Sequence, residues 1–147
     1  MPVYRNLLVY YDGSPESRSA LLHVSRLGSA LTATVHVLSV VDLGSAIGSC
    51  VGHISDLACL QMEDDAKQTL KEALDQLREN GTVACGYVAA GNVVDSMARY
   101  AQILNADLLV LGHRNQRGLA RWWGQPPNHA ELVKRAAGRA VVTVPLD

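Results

Sequence analysis

Two short segments, far apart in the chain, carry side chains suited to holding a small polar ligand. The first is Tyr10-Tyr11-Asp12, where a carboxylate closes the apolar run Asn6-Leu7-Leu8-Val9-Tyr10-Tyr11. The second is Leu111-Gly112-His113-Arg114-Asn115, at the end of another apolar run, Asp107 to Gly112. A carboxylate in the first position can accept hydrogen bonds from a ribose hydroxyl or an adenine amine, or can simply shape an Asp-Gly turn. Gly112 suits either a tight turn or a close backbone approach to a ligand. Asn115 tolerates a left-handed conformation better than most residues. Gly118 and Gly124 follow in the same polar stretch, where backbone N–H groups leading into a helix can cradle phosphate oxygens. Arg114, Arg117 and Arg121 form a small basic cluster there, suited to a phosphate or an acidic partner and equally to a solvated loop face. Trp122 and Trp123 are the two tryptophans of the chain.

Other chemistry is not indicated. The five histidines show no paired helical spacing of the kind that binds zinc. His36 sits between Val35 and Val37 and reads as a satisfied sheet residue. His113 is the one histidine expected beside the ligand, and it has no partnered nucleophile. No serine stands in a nucleophile elbow and no Cys-His pair is evident. The expectation is a binding protein rather than an enzyme, with slow hydrolysis of a bound ligand as the most it would do. Cys50, Cys59 and Cys85 are odd in number and unpaired in spacing, which favours small hydrophobic roles in a reducing compartment.

Those residues need a scaffold. Ser14 can cap a helix with Pro15 at its first position and Glu16 in its first turn; Leu21, Val24, Leu27 and Leu31 follow at helical spacing. Thr32 to Val41 predicts a second strand and residues 42–54 a loop. Ser55 to Asn80 predicts a long amphipathic helix with Leu60, Ala66, Leu70, Ala73, Leu74 and Leu77 inside, ending at a left-handed cap on Gly81. Thr82 to Ala90 predicts a third strand. Asn92 caps a helix facing inward with Val93, Val94, Met97, Ala101 and Leu104. A fourth strand, a polar stretch to Asn128, a helix over Ala130 to Ala137 and a fifth strand, Ala140 to Val144, complete the chain. Alternation of this kind predicts one doubly wound α/β domain over residues 1–147, an open five-stranded parallel sheet with helices on both faces. With strand order 3-2-1-4-5, order reverses between the first and fourth strands, which places the two segments on either side of one crevice.

Bulk properties narrow the partners. At 48% hydrophobic and 18% charged the chain is globular rather than disordered. A net charge of -1 without a basic run argues against nucleic acid. No apolar run is long enough for a membrane span and no signal peptide is visible, so a soluble cytoplasmic protein is expected.

Three stretches then resemble the universal stress protein family. They are Leu7 to Ser17, Ala106 to Arg114 with Gly118-Leu119-Ala120-Arg121, and Glu131 to Val144. The resemblance implies an adenine nucleotide alpha hydrolase-like fold and a cytoplasmic, homodimeric stress-response protein. It implies ATP or AMP as ligand, with Mg accompanying ATP. Asp12 and Val40 match the family's adenosine contacts, Val40 through its backbone. Nucleotide-binding members carry three spaced glycines, the last followed by Ser or Thr. Here Gly112 keeps the first position, Asn115 holds the second, and Gln125 the third with Pro126 after it; Gly124 lies one position early. Proline offers no N–H to a phosphate, so the phosphate loop is a modified one. Members lacking the full motif do not bind ATP, which leaves a homodimeric regulatory or scaffold protein as the alternative. The family's dimer pairs last strands, here Val141-Val142-Thr143-Val144.

Overall fold

The computed structural model describes residues 4–42, 56–114 and 128–146. They form β1 (Asn6–Tyr10), α1 (Pro15–Leu31), β2 (Thr34–Val41), α2 (Asp56–Glu79), β3 (Ala84–Ala90), α3 (Val93–Ile103), β4 (Leu108–Arg114), α4 (Asn128–Lys134) and β5 (Ala140–Leu146). The strands make one sheet in the order β3-β2-β1-β4-β5, and every pairing is parallel. This is the expected order.

The central strand explains its own sequence. Leu7, Leu8 and Val9 of β1 are fully buried, because helices cover both faces of a parallel sheet and leave no side to be polar. Leu7 and Val9 join Leu21 and Val24 of α1 and Ala73 and Leu77 of α2 in one core layer. Leu8 joins Met97 of α3 and Leu132 of α4 in the other. Helix starts follow their caps. Ser14 Oγ accepts the Ser17 N–H at 3.3 Å, with Pro15 at the first turn, and Asn92 Oδ1 accepts from Val94 and Asp95. Gly81 takes the expected left-handed conformation, with φ of 77°.

Several expected boundaries shift. Thr32 is not a strand residue but the left-handed C-cap of α1, and β2 begins at Thr34. Helix α4 stops at Lys134 rather than Ala137, which is itself left-handed with φ of 52°. Leu60 is exposed, not internal, because α2 contributes Leu70, Ala73 and Leu77 to the core and its first turns contribute no buried side chain. Cys85 is exposed on the edge strand β3, and Cys59 is half-buried.

The most consequential shift is at Gly112. A tight turn, one of the two readings of that glycine, is not found: β4 runs on past it to Arg114 in register with β5. The glycine is needed for packing. A Cβ on Gly112 would lie 2.1 Å from the Glu16 carbonyl oxygen and 2.9 Å from the Ser17 nitrogen. Both are backbone atoms, so no side-chain rotation relieves the clash. The first turn of α1 is therefore seated directly on β4.

His36 is a satisfied sheet residue, as its neighbours suggested. Its Nε2 lies 3.0 Å from Asn6 Oδ1 and its Nδ1 3.0 Å from the Tyr87 hydroxyl. The amide oxygen can only accept, so Nε2 donates and a neutral Nδ1 takes the Tyr87 proton. Burial pushes the imidazole pKa below its usual 6.5.

Two predictions follow from this packing. Gly112→Ala should destabilise the protein by ~1–3 kcal/mol, the range for forced overpacking, seen as a lowered urea midpoint at unchanged slope. For His36, the unfolded chain binds a proton that the folded one rejects, so stability falls as pH drops through 6.5. His36→Gln should remove that dependence, so the wild-type-minus-variant stability difference should fall between about pH 7 and 5, measured by urea unfolding at each pH.

Candidate functional site

The crevice arises because the sheet divides at its middle. β1 and β4 pair at Leu7–Leu108, Leu8–Leu109 and Val9–Val110 and no further. Beyond that point β1 stays with β2, through Tyr10–Leu38 and a 2.9 Å bond from the Tyr11 N–H to the Leu38 carbonyl. β4 stays with β5 to Arg114–Leu146. Tyr10-Tyr11-Asp12 and Leu111 to Arg114 therefore flank one opening at the carboxyl ends of the central strands, as expected from the strand order.

Asp12 is exposed at this opening. Its Oδ1 accepts the Ser14 N–H at 2.9 Å, and its own N–H lies 3.4 Å from Ser17 Oγ. The local turn thus orients the carboxylate, which also takes the Tyr10 hydroxyl and keeps further lone pairs for a ligand donor. Gly13, with φ of 80°, lets the chain turn there, and a Cβ added to it would lie 3.4 Å from the Thr69 side chain of α2.

Val40 offers backbone rather than side chain. The Leu38 carbonyl points toward β1 and the Val41 carbonyl toward β3, where it accepts the Gly91 N–H. Alternation along the strand turns the Val40 N–H and C=O to the β1 side, past the last β1–β2 partners. A planar base could meet those groups edge-on.

Tyr10 is half-buried at the opening, and its phenol is held far above its usual pKa. Burial is the main cause, followed by the negative charges of Asp12 and Asp42, a hydrogen bond with Asp12, and the charge of Glu16. The hydroxyl stays neutral and able to donate. Arg114 supplies positive charge, with Nε 3.6 Å from Glu16 Oε2. Residue type alone did not single out Glu16; its place in the first turn of α1 read as helix-end electrostatics, and only the seating of that turn on β4 brings it to the crevice.

Not every expected residue presents its side chain. Tyr11 and Leu111 are each 3% exposed and belong to the two core layers, so only their backbone borders the opening. The space beside Gly112 is filled by α1 rather than left for a ligand. His113 packs edge-on against His129 at the start of α4, ring centres 4.5 Å apart. Burial and the neighbouring His113 lower the His129 pKa. Asn115, Gly124 and Gln125 lie outside the described residues, as do Gly118, Arg117, Arg121, Trp122, Trp123, Cys50 and Pro126. Among the described residues no group of three or more His, Cys, Asp or Glu side chains is arranged to hold a metal ion. No described helix is long and apolar enough to cross a membrane.

The comparisons agree with this architecture. A universal stress protein of Methanocaldococcus jannaschii is 24% identical over 119 residues, covering 81% of this chain and 70% of that protein. Solved structures of universal stress proteins share the fold. A universal stress protein family member from Burkholderia pseudomallei superposes with a TM-score of 0.77 at 20% identity, covering 99% of both chains. A universal stress protein in complex with cAMP gives 0.67 at 23% identity, covering 97% of both. An Arabidopsis thaliana member with AMP bound gives 0.66 at 16% identity, covering 97% of this chain and 92% of that one. The family model for universal stress proteins matches residues 3–137, and with nearly the whole chain so matched, this protein belongs to the universal stress protein family.

Proposed function

We propose that this chain is an adenine-nucleotide binding module acting in a stress response, with the nucleoside held at the divide between β1 and β4. The observation that carries the reading is that one oriented carboxylate, Asp12, and one length of outward-turned backbone, at Val40, border the same opening. Asp12 would accept from a ribose hydroxyl or the adenine amine. The Val40 backbone would pair with the base edge, and the neutral Tyr10 hydroxyl, bonded to Asp12, would help hold that carboxylate in place. Arg114 stands where a phosphate attached to that nucleoside would emerge. The cAMP and AMP bound by two proteins of the same fold support this choice of ligand. ATP, with or without Mg, is a ligand of the same class. The reading assigns binding and no catalytic step.

A homodimer is the second part of the proposal, and it also serves the alternative of a regulatory scaffold that binds no nucleotide. β5 ends the sheet, and Val141, Val142 and Thr143 are half-buried along it. An apolar edge strand is a template for pairing with another chain.

Isothermal titration with AMP, cAMP and ATP tests the ligand, and micromolar binding of at least one is expected. Asp12→Ala removes a charged acceptor, so affinity should fall roughly 10- to 100-fold; undiminished affinity would place the ligand elsewhere. Light scattering coupled to gel filtration should return twice the chain mass, and Val142→Lys should return the monomer.

A further inference from the structure

At the crevice, beside Arg114, one carboxylate is poorly satisfied. Glu16 Oε2 is shut off from solvent and accepts no hydrogen bond among the described residues. Its compensation is the ion pair with Arg114 Nε at 3.6 Å. Glu16 has little room to withdraw, because its own carbonyl is pressed onto β4 at Gly112. Arg114 is the mobile partner, at the end of β4 with its side chain 59% exposed. With its guanidinium facing solvent and 3.6 Å from the carboxylate, Arg114 is held only weakly, so a ligand phosphate can draw it away. Doing so leaves Glu16 uncompensated beside the incoming anion. Asp12, exposed at the same opening, adds a second negative charge.

Given the nucleotide reading above, we infer that Glu16 is a specificity-determining charge filter that holds Arg114 and disfavours ligands according to the negative charge they bring. A cyclic phosphodiester carries a single charge, a monoester roughly two, and a triphosphate more. The site therefore ranks adenosine derivatives by charge, preferring the cyclic monophosphate over ATP. Arg114 contributes attraction to the first phosphate, and the fixed carboxylates oppose each further one.

The test is titration of the full-length protein and of Glu16→Gln with adenosine, cAMP, AMP and ATP, in chelator and at low salt. Glutamine keeps the shape and removes the charge. The ratio of ATP to adenosine affinity should rise about 5- to 10-fold in the variant, as expected for deleting a like charge nearby in a partly screened setting. A second reading needs no variant. Raising salt from low to physiological should improve wild-type ATP affinity relative to adenosine, the opposite of an ordinary phosphate site. If wild type binds adenosine or cAMP but neither the variant nor salt moves the ratio in that direction, the filter is overturned and the nucleotide reading stands. If neither protein binds any of the four compounds, both fall.

Discussion

Everything at the crevice depends on a backbone contact between the first turn of α1 and β4. Because Gly112 has no side chain, the carbonyl of Glu16 can approach β4 closely enough to occupy the place a Cβ would take. That contact fixes where α1 starts relative to the sheet. It thereby sets the Asp12 turn, whose carboxylate is tied to Ser14 and whose N–H faces Ser17. It also brings an acidic side chain to the end of β4, beside Arg114. The divide of the sheet supplies the space, but this contact decides which groups border it.

The charge of the site follows from the same geometry. A helix N-terminus favours acidic residues in its first turn because of its partial positive charge, and Glu16 obeys that rule. In most helices such a residue faces water. Here the helix starts against a strand end, so a residue chosen by local helix physics becomes a fixed charge at the divide between β1 and β4. Tyr10 registers the result, since its phenol proton is held against three carboxylates as well as by burial. The same crowding keeps this hydroxyl protonated and a donor.

The architecture was legible in the sequence because its signals are local and strong. Apolar runs at Leu7–Val9 and Leu108–Leu111, caps at Ser14 and Asn92, and a left-handed glycine at 81 each report their own element. Strand alternation with helices then limited the topology, and the crevice followed from the strand order. The ends of elements were less legible. Gly112 looks like punctuation in a sequence, yet it lies inside β4, since a glycine demanded by a contact elsewhere in the fold carries the same letter as one demanded by a turn. Tyr11 and Leu111 were read with the site because they neighbour it in sequence, whereas strand alternation sends their side chains into the two core layers. Glu16 went unmarked because its importance is purely tertiary.

The polar seam across the sheet has a consequence for how the chain finds its fold. Asn6, His36 and Tyr87 belong to three adjacent strands, and the imidazole links the outer two with one bond on each side. The flanking positions on β2, Val35 and Val37, are aliphatic and fully buried. A one-residue slip of β2 would turn the imidazole to the opposite helical layer and strand the Asn6 amide and Tyr87 phenol without it. Hydrophobic burial alone discriminates weakly among offsets in strands so uniformly aliphatic. The seam thus works as a reading frame, rejecting mis-registered sheets that would satisfy the oily core nearly as well.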